Sequence, residues 1–365
     1  MKQGWEIKKL GEVCKIQTGK LDANAKVDDG VYPFFTCDAK PYRINTYAFD
    51  DEAILISGNG SLVGHINYYN GKFNAYQRTY VLTQFTSFHI PFLISYLKRF
   101  LRSYIIENKK GGCIPYITLP ILQNFAIPCP PREEQERIVE ELDCLSCVIE
   151  KKREQLRELD ALAQSIFYQM FGDPNNSIYG TRNLSDLSEY KLSYGAGASA
   201  VDFDGKIRYV RITDIKDDGE LQSDKVSPNV FDDKYILNDG DILFARSGAT
   251  VGKTYQYKQK DGKAIYAGYL IRFIPNRNIV LPSYIFGYTK TNYYKAFISV
   301  SAKAVAQPNI NAQQYGALKV PIPPLTLQQE FADKIEAIEK QKALIKQSIT
   351  ETEELFNARM DYYFN

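Results

Sequence analysis

Two stretches of this sequence hold residue types whose spacing invites a chemical reading. Arg246-Ser247-Gly248-Ala249-Thr250-Val251-Gly252-Lys253-Thr254 approaches the loop that wraps nucleotide phosphates in successive backbone N–H groups, with a lysine after the second glycine. That loop needs four residues between its glycines and a helix after its lysine. Here three residues separate Gly248 from Gly252, and Tyr255-Gln256-Tyr257 reads as strand. Cys144 and Cys147 form a C-x-x-C, but it sits inside a helical heptad with no second pair nearby, so both read as plain thiols rather than a redox or metal pair. The only histidines are His65 and His89, too few for a histidine metal site or a histidine-centred triad. Asp28-Asp29, Asp50-Asp51 and Asp217-Asp218 read as solvated turns. A glycine-rich strand-to-helix fingerprint for a dinucleotide or S-adenosylmethionine is missing, as is an Asn/Asp-Pro-Pro-aromatic run for holding a flipped base. The residues describe binding and no active site.

The binding residues come in matched sets, because the sequence repeats itself. A glycine loop (Ile54 to Gly64), a proline-led apolar helix (Pro91-Phe92-Leu93-Ile94) and a double-proline stop (Pro128-Cys129-Pro130-Pro131) return as Ile242 to Gly252, Pro282-Ser283-Tyr284-Ile285 and Pro321-Ile322-Pro323-Pro324. The offsets are 188, 191 and 193, a small one-way drift that marks a tandem duplication. Since His65 stands where Lys253 does, the comparison disqualifies the phosphate-loop reading. What recurs is polar loop chemistry: Asn59, Ser61 and His65 in the first copy, and Arg246, Ser247 and Lys253 in the second. A further cluster precedes each double proline, Asn108-Lys109-Lys110-Gly111-Gly112 in one copy and Lys303 through Gln307 and Asn309 in the other. With Arg78, these side chains suit phosphate anchoring and the reading of base edges. The glycines let a backbone come close to a partner such as a sugar-phosphate chain. The 27 tyrosines and 20 phenylalanines read first as strand-rich cores and second as surfaces for base stacking.

The elements that position these residues follow from periodicity. Short strands are expected at Trp5–Leu10, Val13–Gln17, Ala53–Ser57, His65–Tyr69 and Thr79–Thr83, with one helix near Pro91–Glu107. The second copy repeats them near Ile207–Ile212, Asp241–Arg246, Lys253–Tyr257 and Tyr269–Ile274, with a helix near Pro282–Ser299. After each double proline the period changes to about 3.5. Ile138, Leu142, Leu145, Ile149, Leu156, Leu159, Ala163, Ile166 and Met170 form one seam, interrupted by Lys152. Phe331, Ile335, Ile338, Ile345, Ile349, Phe356, Met360 and Tyr363 form the other, interrupted by Lys342. A helix over 134–170 would be on the order of 55 Å long and needs a partner, most simply its own duplicate. The fold class is therefore α+β: two mainly-β globular domains in pseudo-two-fold tandem repeat, separated by two long antiparallel coiled-coil helices. The expected divisions are 1–131, 132–172, 173–324 and 325–365. All six cysteines fall in the first half, which argues for free thiols. A net charge of +2 neither demands nor forbids nucleic acid, and the lack of an apolar span or leader pattern sets a cytoplasmic, membrane-free expectation.

Over nearly its whole length the chain resembles the specificity subunits of type I restriction-modification systems. The resemblance rests on Trp5-Glu6-Ile7-Lys8-Lys9-Leu10-Gly11-Glu12-Val13, on Ile127 to Ile138, on the helix exit Met170-Phe171-Gly172-Asp173-Pro174, and on Pro321-Ile322-Pro323-Pro324-Leu325 with Gln328-Gln329. It implies two target-recognition domains that each read half of a bipartite sequence in double-stranded DNA, and helices that set the spacing. It also implies two modification subunits that methylate adenine N6, and restriction subunits that join them. S-adenosylmethionine, ATP and Mg would be held by those partners and none by this chain. Two alternatives stay open: a specificity subunit of a modification-only system, and a coiled-coil scaffold whose heads bind protein.

Overall fold

A computed structural model describes residues 4–108, 116–302 and 309–364, and the chain divides into two compact units, Met1–Lys151 with Ile349–Asn365, and Lys152–Ser348. The first unit contains a six-stranded sheet in the order Lys15–Thr18, Thr79–Thr83, Phe49–Ser57, Ile66–Ala75, Tyr32–Phe35, Tyr42–Ile44. Its central strand reads as the unbroken apolar run Ala53-Ile54-Leu55-Ile56 because both faces are covered. Ile54 and Ile56 face a core shared with Leu93, Leu97 and Leu101, while Ala53 and Leu55 face Phe35, Phe73 and Val81. In the second unit Ser193–Tyr194, Leu270–Phe273, Ile242–Ala245 and Thr254–Gln256 repeat the order of the first four strands. The alternation recurs too, with Ile242 and Phe244 in one cluster and Leu243 and Ala245 in another.

The copies part where the second sheet is interrupted. In the first unit Tyr32–Phe35 lies parallel to the end of Ile66–Ala75, and Tyr76 N–H closes the pair on the Phe35 carbonyl at 2.9 Å. The second unit keeps this pair as Arg208–Val210 with Ala264–Tyr266, closed by Ala267 N–H on the Val210 carbonyl, also at 2.9 Å. A 3-10 turn at Gln259–Asp261, followed by Gly262 with φ of 82°, cuts this strand from Thr254–Gln256, so it forms a separate sheet.

Three expectations change. The single helix expected near Pro282–Ser299 is two, Pro282–Tyr288 and Asn292–Ala302. Thr289 and Thr291 sit buried at the break, their hydroxyls donating to the carbonyls of Phe286 (2.7 Å) and Tyr288 (2.8 Å), the local bonding by which β-branched hydroxyls compete with a helix ladder. Its counterpart Ile90–Asn108 lacks these threonines and runs unbroken. Val13 closes a one-turn helix, Leu10–Val13, rather than opening a strand, because the Glu12 carboxylate accepts the Lys9 N–H at 2.9 Å. Asp50 and Asp51 are not in a turn. They lie in the strand Phe49–Ser57, opposite Lys72 and Gly71, at its exposed end.

The long helices are Arg132–Phe171 and Leu325–Phe364, each of 40 residues. Each is fastened at its start by a fully buried glutamine. Gln135 accepts the His89 N–H (2.7 Å) and donates to the carbonyls of Pro130 (2.9 Å) and Ser87 (3.0 Å). Gln328 does the same with Leu281 N–H (2.8 Å) and the carbonyls of Pro323 (2.8 Å) and Ile279 (3.2 Å). The helix ends are fastened by aromatics. Within the first unit Phe364 packs on Phe92 with ring centroids 5.3 Å apart, and within the second Phe171 packs on Tyr284 at 4.9 Å.

Both units show antiparallel pairing. In the first, Arg137 lies against Tyr363 and Glu141 pairs with Arg359. In the second, Lys152 donates to Ser348 Oγ (2.7 Å), Lys342 meets Asp160 (2.8 Å) and Phe167 meets Phe331 (5.6 Å). The two lysines that interrupt the seams are thus helix-to-helix contacts. Ile138, Leu142, Ile149, Phe331 and Ile338 are buried, while Leu145, Leu156, Leu159, Ile166, Ile335, Ile345, Ile349 and Phe356 are half-buried, as a two-helix seam leaves them.

Candidate nucleic-acid interface

The two glycine loops fold alike, bond for bond. In the first, Gly64 N–H donates to the Ser57 carbonyl (2.8 Å), Val63 to Gly60 (3.2 Å) and His65 to Leu62 (2.9 Å). In the second, Gly252 donates to Ala245 (3.0 Å), Val251 to Gly248 (3.1 Å) and Lys253 to Thr250 (3.0 Å). Gly60, Gly64, Gly248 and Gly252 take φ of 83°, 81°, 68° and 85°, the left-handed region that explains why glycine stands at these places in both copies. A strand follows the second loop, as the sequence reading of Tyr255 required.

Each loop is held against the chain that arrives just before the double proline. Asn59 bridges to Tyr116 and Ser247 to Asn309. The carbonyls of Gly58 and Arg246 accept the N–H groups of Ile117 and Ile310, both at 2.8 Å. The sequence-expected residues therefore gather in two places. In the second unit Arg246, Ser247 and Asn309 come together, with Arg246 Nε donating to Asn309 Oδ1 at 3.3 Å. In the first unit Asn59 and exposed Ser61 lie on the loop, and exposed Arg78 adjoins it through the Gly58 N–H to Arg78 carbonyl bond of 2.9 Å. His65 is half-buried behind the loop. Lys109, Lys110, Lys303 and Gln307 lie outside the described residues.

Lys253 has a partner within its own unit. Its ammonium meets Asp217 at 2.8 Å and the Ile215 carbonyl at 3.3 Å, and this contact holds the Asp217 carboxyl below the usual carboxylate range. The pair is open to solvent, with 93% of the Asp217 side chain exposed, so it steers the lysine without burying its charge.

Aromatic residues that sequence reasoning passed over frame both loops. Tyr194 lies under Arg246, whose guanidinium carbon is 4.8 Å from the ring centroid, and Tyr269 and Tyr116 stand exposed beside the loops. Another duplicated feature went unread. Gly19 and Gly195 each donate N–H to the opposite strand (Thr79 and Leu270 carbonyls, both 3.3 Å), and an added Cβ would sit 1.9 Å from the Ala75 carbonyl oxygen or 2.2 Å from that of Tyr266. The signal was present in Lys15-Ile16-Gln17-Thr18-Gly19 against Lys191-Leu192-Ser193-Tyr194-Gly195, but at an offset of 176 that the other matches do not share. Cys144 and Cys147 are free and exposed. Among the described residues no helix is long and apolar enough to cross a membrane.

A family model described as the type I restriction modification DNA specificity domain matches residues 2–160 and again residues 176–354, once for each copy. The chain belongs to that specificity family. Among curated members, the type I restriction enzyme EcoDI specificity subunit of Escherichia coli is 29% identical over 373 residues, 92% of this chain and 81% of the relative. The MjaVIII specificity subunit of Methanocaldococcus jannaschii is 24% identical over 92% of this chain and 86% of its own length. The crystal structure of a type I restriction-modification system S subunit from M. genitalium superposes with a TM-score of 0.58 at 16% identity, covering 100% of this chain and 98% of that one, which establishes the shared fold. Both specificity domains of the family are thus present in tandem, each with a β-rich head, and each carries its own copy of the glycine loop.

Proposed function

We propose that the chain is the non-catalytic DNA-reading subunit of a type I restriction-modification complex, and that each unit reads one half of a bipartite site in double-stranded DNA. One observation carries this reading: two units share a strand order and a hydrogen-bonded glycine loop, yet present different side chains from that loop, Asn59 and Ser61 in one and Arg246 and Ser247 in the other. A common frame with divergent side chains suits a device that reads two unlike half-sequences. The paired helices set the spacing of the half-sites and dock two adenine-N6 methyltransferase subunits, which hold S-adenosylmethionine. Restriction subunits, with ATP and Mg, join that assembly in the cytoplasm, where the chromosome lies. Co-expression with the neighbouring modification subunit, followed by single-molecule mapping of methylated adenines, tests the reading. A bipartite motif with a fixed gap is the expected result, and methylation without any interrupted motif would overturn it. Removing two heptads from each helix in parallel should shorten or abolish the recognised gap, while an unchanged gap removes the helices from the ruler's role.

A further inference from the structure

Taking the DNA-reading function as its basis, we propose that Arg246 is a pre-aimed guanine reader confined to the second half-site. Four contacts fix this residue before any ligand arrives. Its N–H donates to the Tyr269 carbonyl (3.1 Å) and its carbonyl accepts the Ile310 N–H (2.8 Å), so the backbone is pinned on both sides. Its Nε donates to Asn309 Oδ1 (3.3 Å), and its guanidinium lies over the Tyr194 ring at 4.8 Å. Tyr194 is itself held, its hydroxyl accepting the Ala312 N–H at 3.0 Å.

Among the described residues its partners are all neutral. Arg211, Arg272 and Lys253 in the same unit are matched by Asp214, Asp241 and Asp217, whereas Arg246 is steered by an amide and an aromatic face that leave its charge intact. With Nε engaged, the two terminal nitrogens have no partner among the described residues and are left for an outside acceptor. Two parallel N–H donors in a rigid plane match guanine O6 and N7. The same fork also matches a phosphate bidentately, but backbone anchoring serves both half-sites alike, whereas the matching place in the first unit, Gly58, carries no side chain. The asymmetry between the units therefore favours the base edge.

At the matching place the first unit carries no arginine. Gly58 takes the place of Arg246 and keeps both backbone bonds, to the Arg78 carbonyl and from the Ile117 N–H. A Cβ at Gly58 would stand 2.3 Å from the Arg78 carbonyl oxygen, so the loop there excludes a side chain. The first half-site is read by other residues.

The experiment is methylome mapping of the assembled complex carrying Arg246→Lys or Arg246→Gln. Expected is an unchanged first half-motif and gap, with one G·C position of the second half relaxed by roughly 5- to 150-fold in discrimination, the range for losing one bidentate base contact. Retention of the first half-motif shows that each variant has folded and assembled. Should the variants fail to assemble, the wild-type complex is measured on duplexes with 7-deazaguanine, which lacks the N7 acceptor, at each guanine of the second half. Weakened binding at one of them supports the inference. Uniform loss across all sites with no relaxed position would make Arg246 a phosphate contact. An unchanged motif, or a second half without a G·C pair, would equally overturn the assignment. A wild-type complex with no bipartite motif would overturn the DNA-reading function itself, which is a separate result.

Discussion

Gln135→Leu should destabilise the first unit far more than its conservative volume suggests. Leucine fills nearly the same space, so little cavity opens, and the cost comes from orphaned polar groups. The His89 N–H, held at 2.7 Å, loses its acceptor, and the Pro130 and Ser87 carbonyls lose a donor. An unsatisfied buried group costs about 1–3 kcal/mol, and carbonyls that retain a second lone pair fall at the low end, so the total is about 3–5 kcal/mol. With a urea dependence on the order of 2 kcal/mol/M for a unit of this size, the midpoint drops by about 2 M. Trp5 is the only tryptophan and packs on the first unit's core, so its fluorescence follows that unit selectively. Gln328→Leu, which makes the same change in the second unit, serves as the control and should leave the Trp5 transition in place. A shift under about 0.5 M for Gln135→Leu would refute the orphan reasoning. Equal shifts from both variants would refute the assignment of each glutamine to its own unit.

Gly19→Ala and Gly195→Ala force a methyl against a backbone carbonyl, and each should lower the calorimetric Tm of its own unit by at least about 5 °C, from a cost of about 2 kcal/mol or more. The Glu141 carboxyl is held below its ordinary range by hydrogen bonds from Arg359 and Tyr363. Its contribution is therefore present above the ordinary carboxylate range and lost as pH falls through the lowered value. The Trp5 urea midpoint should fall more steeply on acidification in the wild type than in Glu141→Gln, and parallel curves would count against this coupling. Phe364→Ala removes the ring packed on Phe92, Tyr96 and Phe100 and should cost about 3–5 kcal/mol in the same assay. Since Lys253 is already paired with Asp217, Lys253→Ala should leave the salt dependence of duplex binding unchanged, as read by titration at several salt concentrations, and a slope lower by about one would show a phosphate contact instead.

While the order of the strands appears only in the fold, the sequence carried the repeat, the strands of the shared sheet and the helix seams because these rest on glycine spacing, prolines and apolar periodicity. Thr79–Thr83 and Ile90–Asn108 were legible for that reason. The break at Thr289–Thr291 was not, because a threonine ends a helix only when its hydroxyl finds a carbonyl, which depends on the packing around it. The arrangement of the candidate interface was half legible. Arg246 and Asn309 stood out by type, but 63 residues separate them and only the fold shows that they touch. Tyr194 hid among 27 tyrosines, and nothing local marks the one that lies under an arginine. Lys253 was legible only as a cation in a glycine loop, since the fold alone places Asp217 beside it.

Each unit combines one head, the beginning of the helix that follows it, and the end of the helix that follows the other head. In genetic terms, half of this gene already encodes every kind of surface that a unit requires. A product of residues 1–172 should pair with a second copy of itself, with Phe171 taking on Phe92 the seat of Phe364, and should read a palindrome. On the proposed DNA-reading function, two such halves of different sequence joined in one chain would bring two unlike half-sites together, and a crossover within a helix-coding stretch would exchange one head and leave the other as it was.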